Sequence, residues 1–184
     1  MRNLLVAGMI AVLLSACGSA EEQKTKPTEI AEAETNIIKQ SVKYHTFSDP
    51  ATKDIFIVQL RGDSVQAATV TFEIKNSKGE QIYEEKFKAI DLINYDLPEN
   101  ASPEEWDKFI LNRIDSFFDE KNFATPAIKE GMTFDPYYAD STAWNDIKND
   151  SSRVGFYYLL GKEDGRWIAY SEALQKVVMY FNCC

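Results

Sequence analysis

Apolar and polar positions alternate with a period of two along several short stretches of this chain, the mark of strands buried on one face. Asp54 to Arg61 (DIFIVQLR) is rich in β-branched and aromatic residues, and Gly62-Asp63 then offers a turn. Ala68 to Lys75 and Gln81 to Lys88 flank Asn76-Ser77-Lys78-Gly79 and predict a hairpin. In its first arm Val70, Phe72 and Ile74 share one face, with Thr69, Thr71 and Glu73 on the other. In the second arm Ile82 and Glu84 oppose Tyr83, Glu85 and Phe87, so the pattern leaves the facing of that arm open. Near the C-terminus, Arg153 to Leu160 and Arg166 to Tyr170 flank a loop with glycine at both ends, Gly161 and Gly165. Lys176 to Asn182 predicts a last strand. Phe156-Tyr157-Tyr158-Leu159 is apolar on both faces, which suits a sheet covered on each side.

The period changes to a helical one after Ser102. Ser102-Pro103-Glu104-Glu105 supplies an N-cap, a proline for the first turn and a capping-box glutamate. Trp106, Phe109, Ile110, Ile114, Phe117 and Phe118 then recur at helical spacing, and this stripe is expected to pack on the sheet with Trp106, Phe109, Ile114 and Phe117 buried. Asp135 to Ser152 is expected to be a long loop with at most a helical turn near Trp144. One principal amphipathic helix between two groups of strands predicts an α+β fold of antiparallel sheets rather than alternating βαβ units. The span 36–184 is the size of one such domain.

The chain has 184 residues, with 29 acidic against 20 basic side chains and a formal net charge of −9. Phosphate backbones attract proteins of the opposite sign, so nucleic acid is excluded as an expected partner.

The first positions follow a different rule. A basic residue, Arg2, precedes an apolar run from Leu4 to Leu14, then small residues Ser15 and Ala16, then Cys17. This is the layout of a secretory signal peptide, and the apolar run is shorter than the roughly 20 residues that span a bilayer. The run Leu14-Ser15-Ala16-Cys17 resembles the lipobox of bacterial type II signal peptides. The resemblance implies that 1–16 is removed and that Cys17 carries fatty acyl chains of the palmitate class on its sulfur and its new amino group. Each buried CH₂ adds about 0.8 kcal/mol, so several chains hold the protein firmly on a membrane without a membrane helix. Residues 17–35 hold no aromatic residue and many charges and are expected to be a disordered tether. Glu21-Glu22 resembles the acidic export signal of Bacteroidota surface lipoproteins. A plain solvated linker has the same composition, so the periplasmic and surface faces of the outer membrane stay open.

Candidate chemistry is sparse. The single histidine, His45, rules out a paired-imidazole metal site and is expected to be an exposed strand residue. No P-loop, dinucleotide glycine pattern, HExxH or EF-hand loop is present, and no cofactor or metal is expected. Asp135, Asp140, Asp146 and Asp150 cluster in sequence but lack the ligand spacing and central glycine of a calcium loop. Arg61-Gly62-Asp63 is explained by the turn it occupies. Asp63-Ser64-Val65 and Asp140-Ser141-Thr142 resemble the Bacteroidota O-glycosylation sequon, which makes Ser64 and Ser141 candidate modification sites. Cys183-Cys184 is a candidate redox or soft-metal pair. Adjacent Cα atoms lie about 3.8 Å apart, below the usual 4.4–6.8 Å, so a mutual disulfide is strained and labile. Two small apolar side chains ending a strand account for the same residues.

Taken together, these residues predict a lipid-anchored cell-envelope lipoprotein whose single domain is a non-catalytic binding or assembly module, with a protein or envelope glycan as partner. Two alternatives stand beside it. One is a binder or inhibitor of a cationic envelope protein such as a lysozyme-like hydrolase; the other is thiol chemistry at Cys183 and Cys184.

Overall fold

Eight strands form two antiparallel four-stranded sheets, each a meander of consecutive strands, in a computed structural model that describes residues 36–183. The first sheet runs β1 (Ile37–His45), β2 (Asp54–Arg61), β3 (Thr69–Lys75), β4 (Gln81–Lys88); the second runs β5 (Phe123–Ala124), β6 (Gly155–Leu160), β7 (Asp164–Ser171), β8 (Lys176–Cys183). Helices α1 (Pro103–Asp115) and α2 (Ser141–Asn149) lie between β4 and β6 in sequence. The architecture is α+β, as the pattern predicts. Cys17 and the rest of 1–35, with Cys184, lie outside the described residues.

Register explains the core. Phe56, Val58 and Leu60 of β2 pair with Ile74, Phe72 and Val70 of β3, so all six share one face, and all six are fully buried. Opposite them on β4 stand Tyr83, Glu85 and Phe87. This settles the arm that the sequence left open: Glu84 and Lys86 take the outer face, while Ile82, at a break in the register, still packs against the core. The turn is where it is expected, with Asn76 Oδ1 accepting from the amides of Lys78 and Glu80 and Gly79 at φ +84°. That left-handed conformation favours glycine.

The inner face of the first sheet meets one face of the second through aromatic rings. Phe156 lies 5.5 Å, centroid to centroid, from both Phe56 and Phe72, and Phe72 lies 5.5 Å from Tyr158. The other face of the second sheet carries α2, where Trp144 and Ile147 pack with Ala169 and Tyr180. The second sheet is therefore covered on both sides. There is no slack at Gly155, where a Cβ would fall 2.4 Å from the Tyr180 hydroxyl, which itself donates to the Ala127 carbonyl at 2.7 Å.

Helix α1 begins as its capping residues predict, with Ser102 Oγ accepting from the Glu105 amide and Glu105 Oε2 accepting from the Ser102 amide. Its buried stripe differs in detail from the expectation. Ile110 and Ile114 are fully buried, whereas Trp106 and Phe109 are only half-buried. Phe109 is rotated about 100° around the axis from Ile110, and Trp106 sits in the first turn. Phe117 and Phe118 are buried, but they lie beyond the helix end at Asp115, where the chain turns into the core.

Three further elements exceed the sequence reading. β1 is a full edge strand, β5 is a two-residue bridge onto β6, and α2 is a helix of nine residues rather than a turn. Asp140 is its N-cap, with Oδ1 accepting from the amides of Thr142 and Ala143 at 2.8 and 3.1 Å.

Candidate functional site

Glu85 is the anomaly from which the site is built. Strand alternation places it between Tyr83 and Phe87 on the inner face, opposite Phe72, where a carboxylate must find partners or pay its desolvation. Its partners come from the second sheet. Tyr158 of β6, Arg166 of β7 and Asn182 of β8 are cross-strand neighbours and so form one row on one face. Tyr158 donates its hydroxyl to Glu85 Oε2, and Arg166 donates from Nη1 to Glu85 Oε1. Tyr83 adds a hydroxyl 2.9 Å from Oε2 and 2.8 Å from the Tyr158 oxygen. On its other side Arg166 holds Asp164: Nε lies 3.0 Å from both carboxylate oxygens and Nη2 lies 2.7 Å from Oδ2. Asn182 Nδ2 donates to Asp164 Oδ1 at 2.7 Å.

This network floors an open cleft of about 660 Å³ between β4 and the β6–β7 end of the second sheet. Phe87 and Leu160 give it apolar walls. Its mouth is fixed by the β6–β7 loop, whose Gly161 (φ +60°) donates its amide to the Asp91 carbonyl at 2.5 Å. Beside it, Tyr95 donates to Glu163 at 3.0 Å and Lys162 lies 4.8 Å above the Tyr95 ring.

The electrostatics define what this floor can do. Burial, reinforced by the charge of Glu85, pushes both the Tyr83 and the Tyr158 phenol well above their ordinary range. Hydrogen bonds from Arg166 hold the Asp164 carboxyl below its ordinary value, and the reciprocal bond raises Arg166. Both phenols stay protonated and donating while the guanidinium stays charged. Two carboxylates face one guanidinium, so the floor is net negative. Lys86 and Lys88 of β4 also line the cleft, with Asp91, so the negative floor sits inside a lining whose acidic and basic groups balance. The floor therefore presents fixed charges and protonated phenols to the cleft.

The raised phenols have a consequence in alkali. Tyr83, Tyr158 and Tyr180 all have folded pKa values raised above the unfolded value near 10, Tyr180 through burial. Their contribution to stability is complete below that value and is lost as pH rises beyond it. In an ultraviolet titration these three phenols should ionise in the same step as unfolding. Smooth titration of all nine tyrosines in a protein that keeps its circular dichroism would contradict the placement.

Comparison with protein-family models, with curated proteins and with solved structures finds no match to this chain.

The residues singled out from sequence are dispersed. His45 ends β1, stacks on Phe123 at 4.0 Å and places Nδ1 2.7 Å from the Thr46 carbonyl, so it is half-buried rather than exposed. The four aspartates have separate local duties: Asp135 accepts from the Tyr137 amide, Asp140 caps α2, Asp146 accepts from Ser171 Oγ, and Asp150 pairs with Arg153. Among the described residues no group of three or more His, Cys, Asp or Glu side chains is placed to hold a metal. Arg61 ends β2 and bonds to Gln59, with Gly62 and Asp63 in the turn beyond it. Ser64 and Ser141 are both exposed. Cys183 is a half-buried thiol at the end of β8, paired across the sheet with Gly165. None of these lies in the cleft floor. The sequence signal for the floor is a single acid, Glu85, in the inward row of a strand.

Proposed function

We propose that this protein is a lipid-anchored lipoprotein of the cell envelope, held in the outer membrane through acylated Cys17. Its domain serves as a non-catalytic binding module that takes a ligand in the cleft over Glu85, Asp164 and Arg166. The anchor rests on the lipobox-like run ending at Cys17. The observation that supports recognition over catalysis is the saturation of the floor: each of its charged groups is committed to fixed partners. Walls at Phe87 and Leu160 over a floor of two carboxylates and one guanidinium suit a ligand with an apolar part and a basic group that reaches past Lys86 and Lys88 to the floor, such as a lysine or arginine side chain on a partner protein. That chemistry also favours the reading in which the partner is a cationic envelope protein.

Two measurements test the proposal. Intact mass of the wild-type protein from membranes should show an N-terminus at Cys17 carrying acyl mass, and Cys17→Ser should leave an unacylated precursor. A free amino terminus elsewhere without lipid overturns the anchor. Binding of a lysine-rich peptide should weaken with salt and fall about tenfold or more in Glu85→Gln and Asp164→Asn, as expected for lost charge-assisted contacts. Affinity unchanged in both variants would remove the cleft as the site.

A further inference from the structure

Arg113 is an arginine whose charge the fold does not answer. It lies in the last turn of α1, and its Nη2 donates to the Leu159 carbonyl at 3.3 Å. Its Nε is buried without a partner, and Arg113 takes part in no ion pair among the described residues. Arg153 and Arg166 differ. Arg153 lies 3.0 Å from Asp150 and 3.6 Å from Glu172, and Arg166 has Glu85 and Asp164. Desolvation lowers the Arg113 pKa, with the more distant charge of Asp96 opposing it. Burying a guanidinium with one long hydrogen bond is costly, and in an acidic chain a carboxylate to pair it was readily to hand.

The topology shows why space is left beside it. β5 pairs only with Phe156 and Gly155, so the following residues of β6 have no strand on that side. A hollow of about 170 Å³ lies there, bordered by Arg113, Phe117, Lys121, Asn122 and the β6 residues Tyr157, Tyr158 and Leu159. A liquid water occupies about 30 Å³, so the hollow has room for one small polyatomic ion with some of its hydration. Asn122 is fixed by its own bond, Nδ2 to the Phe117 carbonyl at 2.9 Å. Lys121 is largely exposed, with Asp119 at 3.8 Å, and adds a second positive charge at the border.

We infer that this hollow is an oxyanion site, in which one phosphate, sulfate or carboxylate group lies against the Arg113 guanidinium with Lys121 at its rim. The overall negative charge of the protein repels anions at long range, so binding is local and depends on the guanidinium geometry. The inference does not rest on the cleft over Glu85: the two have Tyr158 in common, which borders the hollow and commits its hydroxyl to Glu85, and neither Arg113 nor Lys121 lines that cleft.

The test uses the full chain in a neutral detergent at constant ionic strength, with chloride as the balancing ion. Inorganic phosphate, sulfate and acetate are titrated by calorimetry and by melting temperature, and soluble short-chain phosphatidate is a separate arm. Saturable binding of any free oxyanion, with a rise in melting temperature, supports the site. Binding of phosphatidate alone also supports it and identifies a lipid headgroup as the source. Arg113→Met should weaken binding about 10- to 100-fold, the usual loss for a hydrogen bond to a charged group, while leaving the ion-free protein as stable as wild type. Arg113→Lys should retain part of the affinity, and Lys121→Ala should weaken it without loss of fold. No saturable response to any probe up to tens of millimolar overturns the inference. A response that survives Arg113→Met undiminished overturns it as well. If Arg113 serves only to cap the β6 edge, the methionine variant is destabilised and the anions do nothing.

Discussion

Phe72→Ala should destabilise the domain by about 3–5 kcal/mol, the cost of removing a buried aromatic side chain and leaving a cavity. Phe72 is fully buried and its ring touches rings from both sheets and from the segment after α1: Phe56, Tyr83, Phe117, Phe118, Phe156 and Tyr158. Neighbours held by so many mutual contacts cannot collapse into the space. Against a total stability of about 5–15 kcal/mol, this loss leaves a marginal protein. At about 2–4 °C per kcal/mol, the melting temperature should fall by roughly 6–20 °C. Phe109→Ala, at a half-buried position, should cost clearly less. Equal melting temperatures for the two variants would mean that the sheets do not meet through Phe72.

The second large effect is expected at Arg166. Replacing it by methionine keeps most of the apolar stem and leaves Glu85 and Asp164 facing the same space without their cation. Side-chain exposures of 27% for Arg166 and 19% for Glu85 place the pair between surface and interior, so a loss of about 2–3 kcal/mol is expected. Its pH dependence identifies the cause. In the wild type the folded pKa of Asp164 is depressed, so its contribution is present above the unfolded value of about 4 and is lost as pH falls through the folded one. The variant lacks that contribution. Denaturant unfolding should therefore show a gap between the two proteins that is wide near neutral pH, starts to narrow below about pH 4 and closes as pH falls through the depressed folded value of Asp164. A gap that does not change with pH would assign the role of Arg166 to packing of its stem.

Much of the fold was legible because its signals are local. The strand Asp54–Arg61, the Asn76–Gly79 turn and the Ser102 cap each depend on residues adjacent in sequence. β1 was harder to read, because Lys39 and Lys43 occupy inward positions opposite Leu60 and Phe56 and blur the alternation. They are held there by Asp115 and Glu120, acids that lie far along the chain. α2 was read as loop because its stabilising contacts, Trp144 and Ile147 against Ala169 and Tyr180, are tertiary. The cleft floor was the least legible part. Tyr83 and Glu85 come from one sheet, Tyr158, Asp164 and Arg166 from the other, and no spacing rule joins residues on separate sheets. The aspartates of 135–150 cluster in sequence, yet the fold gives each a different task. Glu85, alone among apolar neighbours, meets its partners only when the two sheets close on each other.

The two-meander topology orders events for a chain made from its N-terminus. Each sheet consists of consecutive strands, so its hairpins close short loops at small entropic cost and can form as soon as their residues are available. The first sheet nevertheless has Phe56 and Phe72 covered only in part, by Phe117 and Phe118, until Phe156 and Tyr158 have been added. During that interval the nascent chain is adhesive, and the cleft does not yet exist. Because Glu85 gains its counter-charge only with Arg166, the cleft floor is completed late and all at once, and an unfinished or truncated copy lacks it.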